Sequence, residues 1–208
     1  MRAFAGVPKD LSERGSQLVE LAFVLPLLLV LIAGAADFAQ AWNARQILAN
    51  AARDGARLAS GQSKLDLTDT NPPNIQQICE QVAEYLIEEN INPAFMGISG
   101  TSSSSVTTGC SSPGTVASTN GTLTPEAFTY YESGTTYGLT IERSVDVAPS
   151  GQTCSSTVSC VDSTRVTLNY PYSWSFGFNH IINLFGVSSS YASTIPIQVY
   201  SIMPNIAN

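Results

Sequence analysis

Charge is scarce in this sequence, and positive charge is the scarcer sign. Only 12% of the 208 residues are charged, and 9 Lys and Arg stand against 16 Asp and Glu, which gives a formal net charge of −7. Proteins that bind nucleic acid carry clustered Lys and Arg side chains. The composition therefore argues against nucleic acid as a partner.

Catalytic motifs are also missing. The sequence contains no glycine-rich phosphate loop, no HExxH and no nucleophile elbow. The single histidine, His180, is thin support for a catalytic triad, and the serines from Ser102 to Ser105 belong to a low-complexity stretch. We therefore expect neither an enzyme nor a cofactor, and we interpret His180 as a structural or surface residue.

Cysteine occurs four times, at Cys79, Cys110, Cys154 and Cys160. An even number of cysteines in an exported region indicates disulfides, and four cysteines allow three pairings. We favour Cys154 with Cys160, which closes a small loop, and Cys79 with Cys110, which ties a Ser-rich segment to a helix. The alternative is a zinc site, but the spacing contains no CxxC pair and His180 is the only histidine.

A long apolar run is what the sequence has instead. Between Leu18 and Ala36 the only charged residue is Glu20, and about twenty such residues make a helix that crosses roughly 30 Å of hydrocarbon. We therefore predict a transmembrane helix within residues 16–40. Pro26 removes one backbone hydrogen bond from this helix, so a kink or a loosened turn is expected there.

The helix is predicted to continue beyond the membrane to Ser60, because the pattern after Asp37 becomes amphipathic. One face is apolar or small: Ile47, Leu48, Ala51, Ala52, Gly55, Ala56 and Ala59. The other face is polar: Gln46, Asn50, Arg53, Asp54 and Arg57. The second half of the helix is therefore expected to carry a folded head.

The distribution of basic residues gives the orientation. Three of the nine precede the apolar run, namely Arg2, Lys9 and Arg14. By the positive-inside rule the N-terminus lies in the cytoplasm and the chain after Asp37 lies outside. Residues 1–15 are too polar to insert, so we interpret them as a leader outside the fold, and we assign the head to residues 41–208.

The head is predicted to combine helix and sheet in an α+β fold. A second helix is expected over residues 75–90, after the turn signal at residues 71–74. Residues 97–125 are rich in Ser, Thr and Gly, and we interpret them as an exposed excursion that is pinned by Cys110.

Three later runs alternate apolar and polar residues, which predicts a small antiparallel sheet with one buried face. The runs cover residues 137–147, 166–174 and 191–203. Pro171 and Pro196 indicate that their strands are edges or bend at these points. The apolar cluster of residues 176–185 is assigned to the core of the head. The alternative is a loop that contacts the membrane or a partner subunit.

Small residues recur every four positions along the first helix, a spacing that lets another backbone approach closely. Ala35 and Ala39 are expected to contact another molecule within the bilayer. For Ala51, Gly55 and Ala59, packing on the chain's own sheet and packing on another molecule are equally compatible with the pattern.

An acidic row runs along the second predicted helix, formed by Glu80, Glu84 and Glu88. We interpret it as a solvated face. The alternative is a contact with Arg53 and Arg57 of the same or a neighbouring subunit.

The order of the N-terminal features resembles a known family. Gly15 precedes Glu20, the apolar run with its early proline, an acidic-aromatic pair at Asp37 and Phe38, and Asn-Ala-Ala-Arg-Asp-Gly-Ala-Arg from Asn50 onward. This pattern resembles the type IV prepilin signature. More narrowly, it is similar to the TadE-type pilin-like proteins of tight-adherence pilus and secretion machines.

The resemblance implies a minor pilin or pseudopilin with a pilin-like head, anchored by a single pass in the inner membrane. It implies that a membrane prepilin peptidase cuts after Gly15, which makes Ser16 the first and Glu20 the fifth residue of the mature chain. The Glu20 carboxylate is then expected to pair with the Ser16 amine, its own or a neighbour's. The implied partners are the membrane, the peptidase, other pilin-like subunits and the pilus assembly machinery.

Two alternatives remain open at this point. In the first, residues 21–32 are the apolar core of a secretory signal, and signal peptidase releases a soluble domain near Ala35. In the second, the chain is an uncleaved single-pass anchor that displays a binding head.

Overall fold

The computed structural model describes residues 10–63, 72–116, 127–149, 152–155, 157–175 and 194–206. The apolar cluster of residues 176–185, with His180, lies outside these ranges. The chain divides into two compact units, one formed by residues 1–41 with 174–193 and the other by residues 42–173 with 194–208. The second unit overlaps most of the predicted head, residues 41–208, but does not include residues 174–193.

The first helix, α1, runs from Asp10 to Ser60 and contains 51 residues. At 1.5 Å per residue it is about 77 Å long. The predicted start near Ser16 was wrong, since α1 continues through Gly15 to Asp10. A single glycine in a helix interior costs only about 1 kcal/mol relative to alanine, which is too little to end a helix that has favourable residues on both sides.

The predicted amphipathic pattern at the C-terminal end of α1 is confirmed. The residues of the apolar face are buried apart from Ile47, which is half-buried, and those of the polar face are exposed. Gly55 marks the closest approach, because a Cβ added there would lie 2.7 Å from Cγ2 of Val82 and 3.5 Å from Cγ1 of Val166. A glycine is therefore needed where α1 packs between the second helix and the sheet.

The second helix, α2, extends over Pro73–Glu88, close to the predicted range. Its buried residues are Ile75, Ile78, Cys79, Val82, Ala83 and Leu86. A 3-10 turn follows at Pro93–Met96, and a third helix, α3, at Ser103–Cys110.

Helix α3 corrects the expectation that residues 97–125 form only an exposed excursion. The Ser102 hydroxyl caps its N-terminus by accepting a hydrogen bond from the backbone N–H of Ser105 at 3.3 Å. Val106 and Cys110 are buried on its inner face. Two buried side chains are too few to give a periodic signal, so the cap and the cysteine were the only local signs of this helix.

Five strands form one antiparallel sheet in which spatial order follows chain order. They are β1 Gly114–Val116, β2 Ala127–Tyr131, β3 Gly138–Val147, β4 Val161–Ser173 and β5 Thr194–Pro204. The three predicted runs correspond to β3, β4 and β5, so the α+β class is confirmed. Strands β1 and β2 were not predicted, because they are too short to alternate more than once or twice.

The two prolines lie opposite each other, since Pro171 of β4 pairs in register with Pro196 of β5. Strand β4 is internal to the sheet, but β3 begins at Gly138, which pairs with Asn169. Pro171 therefore lies beyond the reach of β3, where a missing N–H leaves no neighbouring carbonyl unpaired. Pro196 lies on β5, which is an edge strand along its whole length in the described sheet. Pro171 lies on β4, which is an edge only at this end, where β3 no longer pairs with it.

Arg143 is fully buried within β3, and its guanidinium group binds the C-terminal end of α1. Nη1 donates to the carbonyl of Ala59, and Nη2 donates to the carbonyls of Gln62 at 2.8 Å and Ser63 at 3.4 Å. The last carbonyls of a helix have no partner inside the helix and carry its negative dipole end. Arg143 thus explains the interruption of the apolar pattern in β3.

Candidate assembly helix

The N-terminal half of α1 presents an apolar surface that nothing in its own unit covers within the described residues. Every side chain from Gln17 to Leu29 is exposed. The exposed fraction reaches 77% for Phe23 and 67% for Leu18 and Leu31. Each Å² of apolar surface held in water costs about 25 cal/mol, so exposure of this segment to water is unfavourable.

The described part of the chain contains one helix that is long and apolar enough to cross a membrane, judged by length and composition. None of the residues in its most apolar 18-residue window is buried. The apolar surface is therefore not that of a core helix, because the core helix of a soluble protein would bury most of such a window.

Glu20 lies within this surface, between Val19 and Leu21, and is itself exposed. The backbone of Ser16 belongs to the same continuous helix. Residues four apart on a helix are neighbours on one face, separated by about 6 Å of rise. The helix therefore places residue 16 and the Glu20 carboxylate on the same side, one turn apart.

Pro26 lies inside α1, and the helix continues without interruption on both sides of it. Proline has no N–H to donate to the carbonyl four residues earlier, which belongs to Ala22. The predicted loss of one helical hydrogen bond thus falls within the exposed apolar surface, near its middle.

Asp37 is a polar side chain whose burial was not predicted from the sequence. It is fully buried, and its Oδ1 accepts a hydrogen bond from the backbone N–H of Ser175 at 3.2 Å. The hydroxyl of Ser175 donates to Oε1 of Gln40 at 2.7 Å. Asp37 therefore holds the segment that follows β4 against α1, and an acidic residue directly after an apolar run was the available signal.

The two sets of small residues differ in their surroundings. Ala35 and Ala39 are exposed, so they are available to another molecule, whereas Ala51, Gly55 and Ala59 are buried against the chain's own elements. The structure thus settles the open alternative for the second set in favour of the head's own core.

Comparison with known protein families matches residues 15–57 to the family described as TadE-like protein. Residues 15–57 are thus similar to TadE-like proteins, and we refer to them as the TadE-like segment. The match includes Gly15, Glu20, Pro26 and Asp37, and it ends at Arg57, within the last turn of α1. No curated protein and no solved structure matches the chain.

Both cysteine pairs in the head beyond the TadE-like segment form disulfides. Cys79 of α2 joins Cys110 of α3, and Cys154 joins Cys160, with Cα atoms 5.7 and 5.8 Å apart. This is the pairing that the sequence favoured. The first bridge is fully buried, whereas Cys154 is exposed and Cys160 half-buried.

The charged side chains of the head remain largely in solvent. Arg53 and Arg57 are exposed, as are Glu84 and Glu88. Within the described ranges the ion pair of the head joins Arg165 to Glu142 at 3.2 Å, so the acidic row on α2 has no arginine partner from α1. No group of three or more His, Cys, Asp or Glu suited to a metal ion occurs in the same ranges.

The pKa of Tyr130 departs clearly from its ordinary value. Its side chain is 3% exposed, and burial, assisted by the charge of Glu80, raises the pKa of its hydroxyl well above the usual value. Burial also raises the pKa of Tyr170. In both tyrosines, burial of the hydroxyl is the main cause of the shift.

Proposed function

We propose that this protein is a TadE-like minor pilin or pseudopilin of a tight-adherence pilus or secretion machine. The observation that carries the proposal is the exposed apolar surface of α1, with its single carboxylate at Glu20, inside the segment that matches the TadE-like family. Such proteins are structural subunits. The chain is accordingly a substrate of processing and assembly rather than an enzyme.

Processing begins at the peptide bond between Gly15 and Ser16. A membrane prepilin peptidase cuts there and removes the basic leader, residues 1–15, which holds the N-terminus at the cytoplasmic face. The backbone at this bond is helical, and a peptidase requires an extended substrate. Glycine lowers the local helix stability by about 1 kcal/mol, which favours opening of α1 at the position where it must be cut.

Assembly then exchanges lipid for other helices around the apolar surface of α1. Removal of the leader exposes a positive amine at Ser16, one helical turn from the Glu20 carboxylate. Pairing of these two charges, within one subunit or between neighbours, relieves a desolvation cost of several kcal/mol. Because the pairing fixes the axial position of each helix, it sets the register of the assembly.

The head is extracytoplasmic in this proposal, and the subunit resides in the inner membrane until it is assembled. Two disulfides in the head agree with an oxidising compartment. The partners are the prepilin peptidase, other pilin-like subunits and the pilus assembly machinery.

The decisive experiment is to express the full chain with and without a prepilin peptidase and to read the N-terminus by mass spectrometry. We expect a new terminus at Ser16 only when the peptidase is present. A Gly15→Ala variant should be cut more slowly, and a Gly34→Ala variant is the matched control. A terminus at Ala36 would establish the secreted-domain alternative, and an uncut chain would establish the single-pass anchor.

A further inference from the structure

A cleft of about 740 Å³ opens in the head between α3, the segment around Met96 and the strands β1 and β2. All of its lining residues belong to the same compact unit. Pockets for small ligands range from about 300 to 1,000 Å³. The cleft is therefore large enough for a ligand of several rings.

Hydroxyl groups dominate the lining of the cleft. Ser99, Ser105, Thr108, Ser112, Thr129 and Tyr131 contribute them. The side chains of Ser99 and Ser112 are exposed, and within the described residues their hydroxyls form no hydrogen bond to protein. These two groups are free to donate to a ligand and to accept from it.

Charge is absent from the described residues that line the cleft, although the chain as a whole has a net charge of −7. Phosphates and carboxylates are bound by Arg and Lys, and divalent cations are bound by carboxylates. A site built from hydroxyls alone suits neither. The cleft therefore selects an uncharged ligand that is rich in hydrogen-bonding groups.

Tyr131 supplies an aromatic surface at one side of the cleft. Its side chain is 52% exposed, and a Cβ added at Gly114 would lie 3.3 Å from Cε1 of its ring. The ring therefore lies close to backbone that bears no side chain. The negative face of an aromatic ring attracts polarised C–H groups, such as those on the flat face of a pyranose.

A second groove, of about 410 Å³, shares Thr129, Tyr130 and Tyr131 with the first. Its other lining residues include Thr140, Thr167 and Asn169, and it too lacks charge among the residues described. Because Tyr131 lines both grooves, a ligand stacked on its ring can extend in both directions. This arrangement fits an oligosaccharide better than a single sugar.

The walls of the cleft are held in place before any ligand arrives. The buried Cys79–Cys110 disulfide joins α3 to α2. Gly109 of α3 approaches Ile98 so closely that an added Cβ would lie 2.7 Å from its side chain. Gly97 has φ +79°, and a Cβ added there would lie 2.7 Å from the carbonyl oxygen of Tyr131. A rigid site loses little entropy on binding.

We propose that this cleft is a binding site for a neutral oligosaccharide, with Tyr131 as the stacking surface and the surrounding hydroxyls as hydrogen-bonding partners. A protein partner fits less well, because interface cores depend on large apolar anchors, and Met96 and Pro113 are the aliphatic side chains among the described lining residues. The proposal does not depend on how α1 is processed or assembled.

The test uses the full chain in lipid nanodiscs, because detergents with sugar head groups would compete for the site. The probe is a panel of neutral oligosaccharides built from glucose, galactose, mannose and N-acetylglucosamine, with sialylated and sulfated glycans beside it. We expect at least one neutral oligosaccharide to bind. We expect Tyr131→Ala to weaken that binding at least tenfold and Ser112→Ala to weaken it severalfold.

Trp42→Ala is the matched control, because Trp42 is a similarly exposed aromatic residue, at 50%, on α1 and lines neither groove. It should bind the same oligosaccharide as the unmodified chain does. Circular dichroism of each variant establishes that the head is folded. The proposal is overturned if only charged glycans bind, if no glycan binds, or if a folded Tyr131→Ala head binds unchanged.

Discussion

Arg143 shows how one residue joins two distant parts of the head. Its guanidinium group is buried and donates to three carbonyls at and beyond the end of α1. Replacing it by methionine keeps much of the side-chain volume but leaves those carbonyls without their donor. Hydrogen bonds to charged groups contribute about 1.5–3 kcal/mol each, with incomplete additivity. We expect Arg143→Met to lower the free energy of unfolding by about 3 kcal/mol or more.

Urea denaturation of the purified protein, followed by near-UV circular dichroism, measures this change. Arg165→Met is the control, because the ion pair of Arg165 with Glu142 is partly exposed and such pairs contribute at most about 1 kcal/mol. Equal losses in the two variants would contradict the account of Arg143.

For Tyr130 we predict that a substitution increases the free energy of unfolding. Its hydroxyl is buried and has no hydrogen-bond partner within the described residues, and leaving such a group unpaired costs about 1–3 kcal/mol. We expect Tyr130→Phe to raise the free energy of unfolding at pH 7 by about 1 kcal/mol. A large destabilisation in the same denaturation assay would show that the hydroxyl has a partner.

The same residue predicts how stability depends on alkaline pH. The pKa of Tyr130 is raised in the folded state, so above about pH 10 the unfolded state loses this proton while the folded state keeps it. The contribution of Tyr130 to the free energy of unfolding is therefore fully present below about pH 10 and is lost as the pH rises further. Tyr130→Phe should reduce the slope, and Tyr170, whose pKa is also raised by burial, should supply the slope that remains.

At the scale of elements, the disulfides are expected to contribute unequally. The Cys79–Cys110 bridge closes 31 residues and the Cys154–Cys160 bridge closes 6. Chain-entropy estimates for such loops are about 3–4 and about 2 kcal/mol. We expect Cys79→Ala/Cys110→Ala to lower the denaturation midpoint more than Cys154→Ala/Cys160→Ala does.

Burial predicts the order in which the two bridges are reduced. Both cysteines of the first bridge are fully buried, whereas Cys154 is exposed. A reductant in the native state should therefore open Cys154–Cys160 first, as followed by timed alkylation and mass spectrometry. Earlier alkylation of Cys79 would contradict this order.

Elements with a sustained period were predictable from the sequence. The buried face of α1 from Leu48 to Ala59, the inner face of α2 and the strands β3 to β5 each repeat often enough to identify their geometry. Shorter elements were not predictable. Helix α3 depends on Val106, Cys110 and a disulfide to α2. Strand β1 has three residues, which pair with β2 among the described residues. Both elements are therefore fixed by contacts with other elements rather than by a pattern of their own.

The candidate site also contains features that the sequence predicted and features that it did not. The apolar run and Glu20 are visible in the sequence, because composition alone indicates their environment. The role of Asp37 was not, since its hydrogen bond comes from Ser175, which lies far along the chain. The hydroxyl-lined cleft also escaped prediction. Its residues lie in a Ser- and Thr-rich segment and in strand β2, which had no strand signal.

At the scale of the whole molecule, the extent of the TadE-like segment has a structural explanation. The match ends at Arg57, and its last part contains Ala51, Ala52, Gly55 and Ala56, all buried in the core of the head. The segment thus combines the exposed apolar surface with the small-residue face on which the head packs. At Gly55 this face is contacted by Val82 and Val166 of the head.

Assembly of the whole molecule depends, in our proposal, on the single carboxylate of Glu20. Glu20→Gln keeps the shape of the side chain and removes its charge, so the amine of Ser16 is left without a counter-ion among apolar helices. An unpaired buried charge costs several kcal/mol, and about 1.4 kcal/mol corresponds to a factor of ten in an equilibrium. We expect the amount of the variant in sheared filaments to fall at least tenfold, measured against the amount in the membrane fraction.

The matched control is Glu84→Gln, which removes an exposed charge from α2 and should leave incorporation unchanged. Mass spectrometry of the N-terminus separates a processing defect from an assembly defect, because Glu20→Gln should still be cut after Gly15. A cut Glu20→Gln subunit that enters filaments as readily as the unmodified chain would show that charge pairing does not set the register. The apolar surface of α1 would then be sufficient for assembly.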